Sequence, residues 1–150
     1  MSEVVATDVA MREFGARVAG LLAPGDLVVL SGPLGAGKTT LVQGLAEGLK
    51  VRGPITSPTF VISRVHPSLC GGPALVHVDA YRLGGDLEVD DLDLDASLEE
   101  SVTVVEWGEG LVEGLAEDRL EIRIDRHDAD EERVVRLTGV GERWADLRLP

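Results

Sequence analysis

The chain has 150 residues, enough for one domain around a single substantial core. Its 14 basic and 27 acidic residues leave a formal charge of −13, which repels phosphate backbones and speaks against a broad nucleic-acid footprint. An apolar fraction of 44% argues against disorder, and no apolar run approaches the length that spans a bilayer. The opening residues lack the layout of a signal peptide, and the one cysteine, Cys70, excludes an internal disulfide, so a reducing, cytoplasmic setting is expected.

Residues 3–6 read as a short edge strand. From about Asp8 to Leu22, the apolar Val9, Met11, Phe14, Val18, Leu21 and Leu22 recur at helical spacing, and Pro24-Gly25 ends the pattern. The run 26–32 (DLVVLSG) is a strand buried on both faces. Thr39 to Leu49 reads as a helix with Leu41, Val42, Leu45 and Leu49 on one side. Residues 57–65 alternate and are rich in β-branched types, 70–73 form a turn, and 74–81 (ALVHVDAY) form a second buried strand. The acidic stretch 84–100 is expected to hold one short helix and a loop. Residues 101–110 give a third buried strand and a polar turn. Residues 118–126 and 131–139 alternate around a hairpin tip at Asp128 to Asp130, and GERWADL makes a closing turn of helix.

Strands alternating with helices, followed by a hairpin, predict an α/β fold. Its central sheet is mostly parallel, with antiparallel edge strands and flanking helices. In such sheets ligands bind beyond the carboxyl ends of the strands.

GPLGAGKT (32–39) matches the full phosphate-cradle pattern G-x-x-x-x-G-K-[ST], between a buried strand and a helix as that pattern requires, and so predicts a P-loop nucleotide-binding fold. Glycines at 32, 35 and 37, with Ala36, let backbone N–H groups close around a phosphate. Lys38 brings a positive charge to the phosphate oxygens, Thr39 offers a hydroxyl ligand to Mg²⁺, and Thr40 continues the helix start.

A GTPase of the Ras class would need an Asn-Lys-x-Asp guanine reader, but the chain has no Asn, and its one Gln, Gln43, lies on the helix after the cradle. ATP is therefore the expected nucleotide. Mg²⁺ requires an acidic partner at the end of a neighbouring strand, and Asp79 and Glu106 each end an apolar run; spacing alone does not divide their roles. Ser57 or Thr59 in TSPTF could offer a hydroxyl where P-loop switch enzymes sense the γ-phosphate, although the segment by itself favours an ordinary Ser-Pro turn that starts a strand. His77 reads as a core or strand residue. Trp107 follows Glu106 and is expected near the site, with plain packing as the alternative.

GPLGAGKTTL, SPTF, HVDAYRL and VVEWGEG, in that order and spacing, resemble the TsaE (YjeE) family over roughly residues 8–126. That resemblance implies a small Mg²⁺-dependent ATPase, slow alone and productive on a TsaB–TsaD complex, in the making of threonylcarbamoyladenosine (t6A) in tRNA. It implies that Gly35 to Lys38 hold the phosphates, Thr39 and Glu106 coordinate Mg²⁺, and Asp79 orients or deprotonates the attacking water. Thr59 then belongs to a switch-like segment, and the nucleotide site touches Thr7 and Asp8. A basic residue of the terminal hairpin reaches the phosphates, Arg133 by preference and Arg136 as the alternative. The acidity fits a chain that docks on proteins rather than holding tRNA itself. Two rival readings are a small-molecule phosphotransferase, disfavoured by the acidic stretch 84–100 where a basic lid belongs, and a nucleotide-gated binding module that does not hydrolyse ATP.

Overall fold

A computed structural model describes residues 2–32, 37–51, 63–79, 101–106, 118–126 and 133–145. In chain order these form β1 (Ser2–Val5), α1 (Asp8–Ala19), β2 (Leu27–Ser31), α2 (Lys38–Leu49), β3 (Ser63–His66), β4 (Ala74–Asp79), β5 (Ser101–Glu106), β6 (Arg119–Arg126), β7 (Arg133–Val140) and a 3₁₀ turn (Glu142–Trp144). The expectations for 84–100, for the hairpin tip and for residues 57–62 lie outside the described residues.

The strands make one seven-stranded sheet in the order β1-β7-β6-β2-β5-β4-β3. β6, β2, β5 and β4 run parallel, while β7, β1 and β3 pair antiparallel at the edges. This is the α/β arrangement expected from the alternation of elements. β2 and β5 are buried along their whole length, which is why they read as unbroken apolar runs.

Period-two alternation divides the sheet into two faces. Val28 and Leu30 of β2 share a face with Val102 and Val104 of β5, Leu75 of β4, and Leu120 and Ile122 of β6, as the strand registers dictate. These side chains join Met11, Phe14 and Val18 of α1 and Leu41, Val42 and Leu45 of α2 in one core. α1 starts at Thr7, whose hydroxyl accepts the Ala10 N–H at 3.0 Å, a capping bond that satisfies one of the helix's open donors. Val9 departs from expectation. It is 66% exposed, because two residues at 100° each turn it away from the face that Met11 buries.

The two helices touch backbone to backbone. A Cβ added at Gly44 would strike the Arg12 carbonyl oxygen, and one at Gly15 would strike that of Leu41. Glycine, a poor helix former, is therefore present for close approach. At the far end Arg143 forks onto Asp26, with Nε to Oδ1 at 3.2 Å and Nη2 to Oδ2 at 3.0 Å. It also donates to the Leu21 carbonyl at 2.8 Å.

Candidate functional site at the carboxyl edge of the sheet

β1 runs antiparallel to β7, which runs antiparallel to β6, so β1, β6, β2, β5 and β4 all end at the same edge. α1 follows β1 and α2 follows the cradle after β2, so both helices begin there, positive dipole ends outward.

The turn out of β2 is built by glycine. Gly32 has φ +150, and a Cβ there would lie 2.6 Å from the Ile124 carbonyl oxygen. Gly37 caps α2 in the left-handed region at φ 102, beside the Met11 methyl of α1. No side chain caps α2 and its first turn carries no acidic residue, so the helix's own first turn places no negative charge at its leading N–H groups. Lys38 opens the helix, is buried, and donates from Nζ to the Gly32 carbonyl at 2.7 Å. The ammonium thus sits against the first residue of the cradle. Thr39 and Thr40 follow, each partly exposed. Gly35 and Ala36 lie outside the described residues.

Asp79 and Glu106 end adjacent parallel strands and are register partners, and Glu106 also pairs with Leu30 of β2. Two sequence-distant carboxylate positions are thereby side by side, Glu106 one strand and Asp79 two strands from β2, which leads into the cradle. Glu106 is 4% exposed, and its Oε2 lies 2.6 Å from Nε2 of His77, itself 1% exposed. With an ionised Glu106 the ring donates through Nε2–H. Oε1 of Glu106 has no partner among the described residues. His77 reads from sequence as a buried strand residue; its pairing needs the register of β4 on β5, although its spacing of two from Asp79 is a usable signal.

Register also separates the two hairpin arginines. Arg133 pairs with Val5 and Arg126 at the carboxyl edge and shares the parity of Val135 and Leu137, the face that carries the helices. Arg136 has the opposite parity, lies three residues back from the edge, and faces Asp125 at 3.6 Å. Thr7 and Asp8 lie at the same edge, where the Thr7 hydroxyl already serves as the cap of α1. Ser57, Thr59 and Trp107 fall outside the described residues.

Among the described residues no three His, Cys, Asp or Glu side chains cluster as a ready-made metal cage, and no helix is long and apolar enough to cross a membrane. Cys70 lies exposed in the turn before β4, away from this edge. The Ser68 hydroxyl and then the Gly72 backbone hold its thiol below the ordinary value.

Comparison with known proteins bears on what this edge belongs to. Residues 5–135 match the family model described as threonylcarbamoyl adenosine biosynthesis protein TsaE. A tRNA threonylcarbamoyladenosine biosynthesis protein TsaE from Streptomyces coelicolor is 70% identical over 139 residues, covering 90% of this chain and 94% of that protein. Its counterpart in Bacillus subtilis is 42% identical over 125 residues, 83% of this chain and 76% of its own length. The crystal structure of the Bacillus protein YdiB superposes with a TM-score of 0.75 at 34% identity, covering 96% of this chain and 88% of that one. The chain belongs to the TsaE family of threonylcarbamoyl adenosine biosynthesis proteins.

Proposed function

We propose that this chain binds and hydrolyses ATP with Mg²⁺ at the carboxyl edge of its sheet, in support of t6A modification of tRNA on a TsaB–TsaD-type complex. Family membership supports the role in t6A biosynthesis. The observation that carries the chemistry is the buried Glu106 ending β5 beside β2, whose turn delivers Lys38.

The residues fit the group in three respects. The turn at Gly32 and Gly37 leaves no room for a Cβ at the first and requires positive φ at the second, which keeps backbone open to a phosphate. The uncapped start of α2 offers N–H groups to an anion. The oxygen donors Thr39 and Glu106 suit a hard cation that relies on one or two protein ligands plus phosphate oxygens and needs no full protein cage. Bound there, Mg²⁺·ATP supplies a phosphoanhydride bond open to attack by water.

On this reading Lys38 stabilises phosphate charge, and Gly35 to Gly37 present backbone N–H groups. Thr39 and Glu106 hold the cation, and Asp79, beside Glu106 in register, orients the attacking water or takes its proton. Arg133 is the hairpin residue assigned to the phosphates, with Thr7, Asp8, Thr40, Thr59 and Trp107 completing the nucleotide contacts. The test is phosphate release by the chain alone and with the TsaB–TsaD pair. Stimulation that vanishes in Lys38→Ala and Glu106→Ala supports the proposal, whereas phosphate appearing on a metabolite with no stimulation overturns it.

A further inference from the structure

We propose that His77 is a positioning residue for Glu106, its ring holding Oε2 so that Oε1 is presented to a divalent cation at the carboxyl edge. This rests on the reading of Glu106 as a cation ligand and adds to it the group that orients the ligand.

The chemistry begins with cost. A carboxylate buried to 4% exposure loses its water and needs a compensating hydrogen bond. The 2.6 Å contact from His77 supplies one, and it engages Oε2 alone among the described residues. Both residues stand on adjacent parallel strands, two residues apart in register and so on the same face, and the ladder holds the two backbones in place. The imidazole is a flat group with few rotamers, and its side chain is 1% exposed. A rigid donor on one oxygen fixes the plane of the carboxylate and leaves the other oxygen with a single direction. Partners of this kind behind a metal ligand set its affinity as well as its geometry. A merely structural buried pair would instead affect folding and nucleotide affinity without distinguishing whether a cation is present.

The experiment uses the full chain and reads Mn²⁺ as a spin-active stand-in for Mg²⁺. Its affinity is measured at saturating non-hydrolysable ATP analogue, alongside analogue affinity in chelator. His77→Leu is expected to weaken Mn²⁺ about 10- to 100-fold while metal-free analogue affinity stays within about twofold. His77→Gln, whose terminal amide N–H reaches the Nε2 position, is expected to recover most of the loss. In a Glu106→Gln background, His77→Leu is expected to add nothing further. Unchanged Mn²⁺ affinity in His77→Leu, or an equal loss of analogue affinity in chelator, overturns the positioning role. Should His77→Leu fail to fold, His77→Gln against the shorter His77→Asn decides: stronger Mn²⁺ binding by Gln supports the role, and equal binding overturns it. A wild-type chain whose analogue binding ignores Mn²⁺ removes the parent reading and this one together. A wild-type dependence indifferent to His77 removes this one alone.

Discussion

At the scale of single residues, Lys38 and Asp79 lead to opposite expectations for the same edge of the sheet. The Lys38 ammonium is buried against the Gly32 carbonyl and carries charge into the cradle. Lys38→Ala should weaken ATP binding by ~1.5–3 kcal/mol, the range for a hydrogen bond to a charged group. Asp79→Asn keeps volume and position but removes a base, so calorimetry should find ATP affinity unchanged while single-turnover hydrolysis slows by about a hundredfold or more. Loss of ATP affinity in Asp79→Asn would reverse the roles assigned to the two carboxylates. Lys38 stands out in sequence through the spacing of the glycine cradle, and Asp79 and Glu106 because each ends an apolar run, where a charge is costly without a task. His77 is not legible in that way. Its partner lies 29 residues away on the neighbouring strand, and only the register of the finished sheet brings the two together.

Helices and strands carry a second level of information, and α1 against α2 shows how far spacing reaches. Apolar periodicity marks Met11, Phe14 and Val18 on one helix and Leu41, Val42 and Leu45 on the other, and all six are buried. The same spacing rule includes Val9 only because that residue is apolar; its angle around the helix points it to solvent. The glycines of the two helices carry no such pattern. In a free helix Gly44→Ala would stabilise by roughly 1 kcal/mol. Here its Cβ would meet the Arg12 carbonyl, so the helices must part and the core they cover must repack. The expected net effect is destabilisation of about 1–3 kcal/mol, read as a lower urea midpoint. A raised midpoint would show that the close approach is not a constraint. Because α2 is led by Lys38 and α1 by Thr7, such a parting should also weaken nucleotide binding.

The whole molecule adds constraints that no single element contains. Alternating strands and helices forecast a parallel centre and a terminal antiparallel pair, yet the order β6-β2-β5-β4 was not legible, since β5 enters between β2 and the earlier β4 through tertiary packing. That insertion puts Glu106 beside the cradle. The closing 3₁₀ turn is likewise more than an end. Arg143 ties it to Asp26 and Leu21 at the entry to β2 and stacks over Trp144 at 4.3 Å. Arg143→Ala should therefore lower stability by about 1.5–3 kcal/mol by thermal or urea unfolding, far more than loss of an exposed pair such as Arg123–Asp125. Net charge acts at this scale too. A surface of formal charge −13 gains no counterion release from tRNA and meets repulsion instead. The isolated chain should bind tRNA more weakly than roughly 10⁻⁴ M at physiological salt, the weak end of nonspecific binding, with any association appearing only when a TsaB–TsaD-type complex is added. Gel-shift titration across a salt series checks this. Tight binding by the chain alone, weakening steeply with salt, would mean that a local basic path outweighs the global charge and that the chain holds tRNA directly.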